Sequence, residues 1–142
     1  MLVRTMRVED SERVADLSGQ LGYPATVTSI EERFQTLLQL QENAMFVAED
    51  EEGHVIGWVH VSGIHRLESD AYAEVGGLVV ESDSRRIGAG RALMIASEEW
   101  AKANGFTNIR LCSQMHRSEA HLFYKRIGYE TFKTSLFFRK LL

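Results

Sequence analysis

Several residue types that mark particular protein classes are scarce in this chain of 142 residues. The single cysteine, Cys112, excludes an intrachain disulfide and a cysteine-rich metal site. It lies on a predicted strand, where we expect a small buried apolar group. No apolar run approaches the roughly 18 residues of a membrane span, and the first residues lack the apolar region of a signal peptide. We therefore expect a cytoplasmic protein with no membrane partner.

Positive charge is also scarce, because 16 basic residues face 20 acidic ones and the formal net charge is −4. A negative surface disfavours nucleic-acid binding and attracts cations, so we expect no nucleic-acid partner. Proline occurs once, at Pro24, and the sequence has no repeats, low-complexity tracts or linkers. With 44% hydrophobic and 25% charged residues, the composition predicts a single globular domain over residues 1–142.

Hydrophobic periodicity predicts a mixed α/β fold. Thr28 and Glu31 have the spacing of a capping box, which predicts the start of the second helix. In chain order the predicted elements are a strand at 2–8, helices after Asp10 and Thr28, strands at 45–49, 54–61 and 72–80, a helix at 88–104, a strand at 107–112, a helix at 118–127, and strands at 129–133 and 135–139.

A glycine-rich loop before the long predicted helix has the layout of an anion site. Residues 85–91 read Arg-Arg-Ile-Gly-Ala-Gly-Arg and open directly into that helix. The first N–H groups of a helix lack partners, and glycine lets a phosphate approach them. Arg91 and Ala92 stand where a Walker A loop needs Lys and Ser or Thr, and Leu93 stands where a dinucleotide fingerprint needs a small residue. The glycines alone leave a purely structural helix start equally open.

Two separated motifs resemble the GCN5-related N-acetyltransferase (GNAT) family. Residues 85–90 resemble its Arg/Gln-x-x-Gly-x-Gly/Ala signature, and residues 120–129 resemble its helix with a tyrosine shortly before Gly-Tyr. The order of predicted elements also agrees over essentially the whole chain. The resemblance implies the GNAT acyl-CoA N-acyltransferase fold, with a mixed, mostly antiparallel sheet of about six to seven strands flanked by about four helices.

The resemblance also implies acetyl-CoA as cosubstrate, bound without a metal. The N–H groups of residues 86–91 would cradle its pyrophosphate, and residues 78–80 would pair with its pantetheine arm like an added strand. Many relatives have an asparagine seven residues before the helix tyrosine, where this chain has Arg117. The residues expected at the cofactor are Leu78, Val79, Val80, Arg85, Arg86, Ile87, Gly88, Ala89, Gly90, Arg91 and Arg117.

The implied reaction is direct attack of a primary amine on the thioester. An alkyl amine has a pKa of about 10.4, so a base must remove a proton. Glu74 matches the catalytic glutamate of the histone-acetylating branch, and strand alternation predicts that it shares a face with Leu78 and Val80. Tyr124 matches the general acid for the departing thiolate, and the N–H of Val79 would stabilise the oxyanion. The alternatives are an ion pair or strand start for the glutamate and helix packing for the tyrosine.

In relatives, the loop between the first two helices and the last hairpin frame the acceptor. A small cationic amine, such as a polyamine or an aminoglycoside-like compound, is the favoured acceptor. A protein lysine or N-terminal amine and a non-catalytic acyl-CoA sensor are the alternatives. The resemblance further implies that two chains can pair through the C-terminal strands. The aromatic and proline residues expected at the acceptor are Tyr23, Pro24, Phe132, Phe137 and Phe138.

The five histidines do not predict a metal site, because none has a histidine partner at helical i, i+4 spacing with a nearby carboxylate. His60 and His65 flank a predicted strand end near the expected acceptor groove. Either could contact a substrate, but a surface or packing role is favoured for both.

Overall fold

The computed structural model describes the backbone of all 142 residues and every side chain except that of Arg86. The longest helix has 15 residues, and no described helix combines the length and apolar character that a membrane crossing requires. The strands are β1 (Leu2–Thr5), β2 (Asn43–Glu49), β3 (Val55–Ile64), β4 (Tyr72–Val80) and β5 (Ile109–Leu111). The helices are α1 (Ser11–Gln20), α2 (Val27–Gln39), α3 (Ala89–Ala103) and α4 (Ser118–Arg126), with short 3-10 helices at Val8–Asp10 and Ser82–Ile87.

The five strands form one sheet in the order β1-β2-β3-β4-β5. The first four run antiparallel, and β5 joins β4 in parallel. This mixed, mostly antiparallel sheet with four α-helices confirms the predicted fold class, and β4 has the predicted bounds. The expected count of about six to seven strands is wrong, because residues 129–142 form no strand. A strand needs a neighbour for its backbone groups, and no residue after β5 is paired in the described sheet.

Two compact units divide the chain, at residues 1–112 and 113–142. The first unit contains the sheet with α1, α2 and α3, and the second contains α4 and the C-terminal segment. A single domain over residues 1–142 stays a prediction.

Helices cover both faces of the sheet in the first unit. On one face, Val14 and Leu17 of α1 pack in a buried cluster that includes Val79 of β4. Their spacing along the sequence gives α1 one apolar side, which the sheet covers. On the other face, α3 lies close to β3, where a Cβ at Gly57 would come within 3.1 Å of Leu93 Cδ1. The sheet is therefore the middle layer, and its side chains alternate between two different helical environments.

A β-bulge interrupts β4 at its paired glycines. Val75 pairs with one residue of β3 and Gly77 with the next, which leaves Gly76 as the extra residue. A Cβ at Gly77 would lie 2.9 Å from the Trp58 ring, closer than side chains pack. Two glycines at this point therefore let β4 bulge and let β3 side chains lie against its backbone.

The bulge changes which side chains share a face with Glu74. The β3 partners of Glu74 and Val79 are four residues apart, so these two residues lie on the same face, the one that α1 covers. The prediction that Glu74 shares a face with Leu78 and Val80 is wrong. One extra residue in the bulge reverses the alternation, and those two residues lie on the α3 face.

Two further local predictions are wrong. The N-cap of α2 is Thr26, whose Oγ1 accepts a hydrogen bond from the N–H of Ser29 at 3.0 Å. The helix therefore starts before the expected capping box of Thr28 and Glu31. Cys112 is exposed rather than buried, because it follows a β5 of only three residues.

Candidate functional site

The candidate site begins where β4 leads through a short 3-10 helix into α3. Gly88 ends the 3-10 helix and is also the N-cap of α3, with a left-handed φ of +84°. Glycine adopts this φ without the steric penalty of other residues. A glycine N-cap has no side chain to bond the free N–H groups of the first turn, and that turn has no acidic residue. The N-terminus of α3 therefore keeps its partial positive charge for an external anion.

The residues around this N-terminus leave space in front of it. Ala89 and Gly90 are buried, whereas Arg85 and Arg91 are exposed, as is Ile87 between them. Arg85 Nε lies 3.5 Å from a carbonyl oxygen at the end of β4, too long for a firm hydrogen bond. A Cβ at the N-cap glycine would meet no atom within 4 Å. Two guanidinium groups are thus available beside the helix start, and the side chain of Arg86 lies outside the described part.

Contacts with α1 and β3 fix the start of the loop. Glu81 follows β4, and its N–H donates to the carbonyl oxygen of Ile56 at 2.8 Å. Its carboxylate accepts a hydrogen bond from Arg13 of α1, which also donates to the Val55 carbonyl at 2.8 Å. Ser84 Oγ donates to the second carboxylate oxygen of Glu81 at 3.2 Å. The loop is therefore held against the sheet from two directions.

One edge of β4 has no strand beside it beyond the bulge. β5 pairs with β4 only from Ala73 to Val75, whereas β3 pairs along the whole strand. Within the described sheet, residues 76–80 thus have no neighbouring strand on the β5 side. An extended ligand with amide groups can add to such an edge through backbone hydrogen bonds. This is the edge where the family resemblance implies the pantetheine arm, at residues 78–80.

Glu74 is half-buried just before the bulge and lies among arginines. It pairs in register with Arg110 of β5, whose guanidinium carbon lies 4.0 Å from the centre of the Tyr72 ring. The hydrogen bond to Tyr72, with the charges of Glu68 and Glu74, raises the pKa of Arg66. The carboxylate thus faces cations of its own chain, and it is also the acidic group of β4 on the face that α1 covers.

The bulge and the surroundings of His60 were not predicted from the sequence. His60 lies within β3 rather than at a strand end, and it is half-buried. Burial lowers the pKa of its imidazole. His65, by contrast, is exposed and pairs with Glu42. Two successive glycines inside a predicted strand are a signal for a bulge, and this signal could have directed attention to the histidine opposite them.

In the second unit, Arg117 lies close enough to Tyr124 for its charge to act on the phenol. Arg117 is the N-cap of α4, and its carbonyl accepts from the N–H of His121 at 3.1 Å. Tyr124 is half-buried beside Phe123 and Tyr129, with ring centroids 5.1 and 6.1 Å away. Burial raises the pKa of Tyr124, and Arg117 acts in the opposite direction. The phenol therefore stays protonated at neutral pH, as a general acid requires.

Two surface clefts of about 410 and 480 Å³ lie beside the acidic turn between β2 and β3. The larger cleft is also lined by Ile87 of the glycine-rich loop, but neither cleft contains Glu74, the bulge or the first turn of α3. Among the described residues, no group of three or more histidine, cysteine, aspartate and glutamate side chains could hold a metal ion. The glycine loop and the open strand edge are thus the features that best fit a ligand.

Comparison with known proteins identifies relatives. The sequence model of the acetyltransferase (GNAT) family matches residues 13–129, more than half of the chain. An uncharacterized N-acetyltransferase of Methanocaldococcus jannaschii is 32% identical over 99 residues, which are 68% of this chain and 43% of that protein. The aminoglycoside N(6')-acetyltransferase type 1 of Stenotrophomonas maltophilia is 26% identical over 121 residues, 82% of this chain and 78% of that protein. The chain thus spans less than half of the first relative and most of the second.

Solved structures show the same fold. The aminoglycoside N-acetyltransferase AAC(6')-Iy in complex with CoA superposes with a TM-score of 0.84 and 21% sequence identity. The match covers 99% of this chain and 100% of that chain. At this identity the likeness establishes the arrangement of the elements.

Proposed function

Because the chain belongs to the acetyltransferase (GNAT) family, we propose that it transfers the acetyl group of acetyl-CoA to a primary amine within a ternary complex. The observation that carries the proposal is the N-terminus of α3, which has a glycine cap and no acidic residue in its first turn. It follows β4, a strand with an open edge, after one short 3-10 helix. A pyrophosphate there accepts hydrogen bonds from free N–H groups, so it needs no metal.

The cofactor is assigned to two adjoining stretches of the first unit. The backbone of residues 86–91 cradles the pyrophosphate, and Arg85 and Arg91 add positive charge around it. Residues 78–80 pair with the amide groups of the pantetheine arm, and the N–H of Val79 stabilises the oxyanion of the tetrahedral intermediate. Arg117 adds a charged contact at the position where many relatives have asparagine.

The reaction needs an acceptor amine that has lost a proton, since an alkyl ammonium has a pKa of about 10.4. The lone pair then attacks the thioester carbonyl, a C–N bond forms, and the C–S bond breaks. Glu74 attracts the ammonium and is one candidate for the group that takes its proton, directly or through one water. Tyr124 donates its proton to the departing thiolate, an assignment that rests on the resemblance of its helix motif.

A small cationic amine is the proposed acceptor class. The formal net charge of −4 concentrates cations at the surface. The relative from Stenotrophomonas maltophilia and the structural neighbour that binds CoA are both aminoglycoside acetyltransferases. An aminoglycoside-like compound or a polyamine is therefore the favoured acceptor.

The test is CoA release from acetyl-CoA in the presence of single amines. The panel contains an aminoglycoside, a polyamine, a lysine-containing peptide and a peptide with a free N-terminus, with mass spectrometry to identify the acetylated product. We expect release above the amine-free rate with the aminoglycoside or the polyamine. Release with a peptide alone would contradict the acceptor class. Acetyl-CoA binding without release for any amine would contradict the enzyme and favour an acyl-CoA sensor.

A further inference from the structure

A chain of hydrogen bonds fixes which nitrogen of His60 carries the proton. Asn43 Nδ2 donates to the carbonyl oxygen of Gln41 at 3.1 Å, which orients the amide. The amide oxygen, Oδ1, lies 2.8 Å from His60 Nε2. An amide oxygen can only accept, so Nε2 of the neutral ring must be the donor. Nδ1 of His60 therefore keeps a free lone pair.

This lone pair lies at the bulge of β4. A Cβ at Gly76, the extra residue of the bulge, would lie 3.6 Å from His60 Nδ1. His60 pairs with Gly77, and it shares the α1 face of the sheet with Glu74. No hydrogen bond within the described part of the chain engages Nδ1. The free nitrogen thus lies over the bulge, at the residue where the open edge of β4 begins.

The neighbours of His60 leave it neutral at physiological pH. Burial lowers its pKa below the usual value of about 6.5. The ionisable side chains of β4 on this face are Tyr72 and Glu74, whereas Asn43 and Met45 face His60 from β2, and neither of these two β2 side chains titrates. From α1, Arg13 reaches only the far end of β3. Of the other charged side chains near this end of β3, Glu42 and His65 pair with each other, Arg66 Nε donates to the Tyr72 hydroxyl at 3.4 Å, and the Arg110 guanidinium lies over the Tyr72 ring.

We propose that His60 is the catalytic base, whose Nδ1 removes the proton of the acceptor ammonium directly or through one water. The proposal rests on the acetyl transfer proposed above and gives the proton-accepting role to the imidazole rather than to Glu74. Glu74 pairs in register with Arg110 and its charge acts on Arg66, so the carboxylate already has cations of its own chain nearby. A base works best when its proton affinity suits the working pH, which favours imidazole.

In the proposed acetyl transfer, each proton and each bonding electron pair has a defined donor and acceptor. His60 Nδ1 takes one proton from the ammonium, and the nitrogen lone pair so released forms the C–N bond at the thioester carbonyl. The tetrahedral intermediate loses its second N–H proton to solvent, the C–S bond breaks, and the sulfur leaves with the electron pair. Tyr124 gives its proton to that sulfur and regains one from solvent, and the imidazolium releases its proton to solvent. The net products are an N-acetyl amine, CoA and one proton.

The test compares the pH dependence of kcat/KM in wild type, His60→Gln and Glu74→Gln, with the best amine of the panel. His54→Gln is the matched control, since His54 is an exposed histidine in the turn between β2 and β3. In wild type we expect kcat/KM to fall as the pH drops below about 6.5, which forms an acidic limb of the profile. His60→Gln should lower kcat/KM by about 100-fold, abolish that limb and leave acetyl-CoA affinity unchanged. The His54 control and Glu74→Gln should both keep the limb.

A second variant tests the hydrogen-bond chain. Asn43→Asp puts a carboxylate within hydrogen-bond distance of His60 Nε2, which favours the imidazolium. The acidic limb of the kcat/KM profile should therefore shift to higher pH by about one unit. Nitrogen NMR of the wild-type imidazole reports the tautomer without turnover, and we expect Nε2–H. An Nδ1–H tautomer would overturn the proposal, as would loss of the limb in Glu74→Gln alone or an active His60→Gln with an unchanged limb. A wild type that acetylates no amine instead contradicts the proposed function, and the base role with it.

Discussion

Single side chains set the protonation states that acetyl transfer needs. Burial raises the pKa of Tyr124 and lowers the pKa of His60. The cause is the same in both cases, because an environment poor in water disfavours the charged form of each group. At neutral pH the phenol therefore keeps its proton and the imidazole keeps its lone pair. One group can donate a proton and the other can accept one without any change of pH.

Replacing Tyr124 tests its assignment as the general acid. Tyr124→Phe removes the donor and keeps the ring, so kcat should fall by about 100-fold while the Kd for acetyl-CoA stays the same. The matched control is Tyr129→Phe, which removes a hydroxyl from the ring 6.1 Å away in the same unit. Steady-state CoA release measures kcat, and calorimetry measures the Kd. Wild-type turnover in Tyr124→Phe would contradict the acid assignment.

Among the elements, the C-terminal segment departs most from the sequence prediction. Residues 129–133 and 135–139 have strand-like patterns, yet neither forms a strand in the structure. The pattern indicates side chains suited to a half-buried strand, but it does not identify the partner. We propose that a second copy of the chain provides the partner and gives a homodimer, since a large exposed apolar segment marks an interaction surface. The exposed apolar side chains are Phe132, Leu136, Phe137, Phe138, Leu141 and Leu142.

Analytical ultracentrifugation tests the homodimer. Wild type should sediment as a dimer, and Phe138→Asp should shift the population to monomer, because the charge would be buried at the interface. Phe138 is 89% exposed in the single chain, so its replacement should leave the folded monomer intact. Leu67→Asp is the control, since Leu67 is fully exposed in the loop before β4. A monomeric wild type, or a Phe138→Asp variant that stays dimeric, would rule the proposal out.

For the whole molecule, local patterns predict the elements but not their long-range contacts. The bounds of β4 and α3 follow from apolar periodicity and glycine, which act over a few residues. The hydrogen bond between Arg13 and Glu81 joins positions 68 residues apart, and that between Asn43 and His60 joins positions 17 apart. Neither pair has a sequence signature. The face of Glu74 was predicted wrongly for a related reason, since one inserted residue reverses a period of two.

Acetyl-CoA binding at the N-terminus of α3 is the claim on which the other assignments depend. The chain offers a matched pair of variants for it, Gly88→Ala and Gly105→Ala. Both glycines have φ of +84° and space for a Cβ, and they lie at opposite ends of α3. Alanine should therefore destabilise the fold at either position by a similar amount, about 1 kcal/mol.

The deciding measurement is calorimetric titration of acetyl-CoA into wild type and these two variants. We expect Gly88→Ala to weaken binding by about tenfold or more, because the methyl group and the altered N-cap obstruct the approach of the pyrophosphate. Gly105→Ala should bind as tightly as wild type. Equal affinity in all three proteins, or no binding to wild type, would contradict the account.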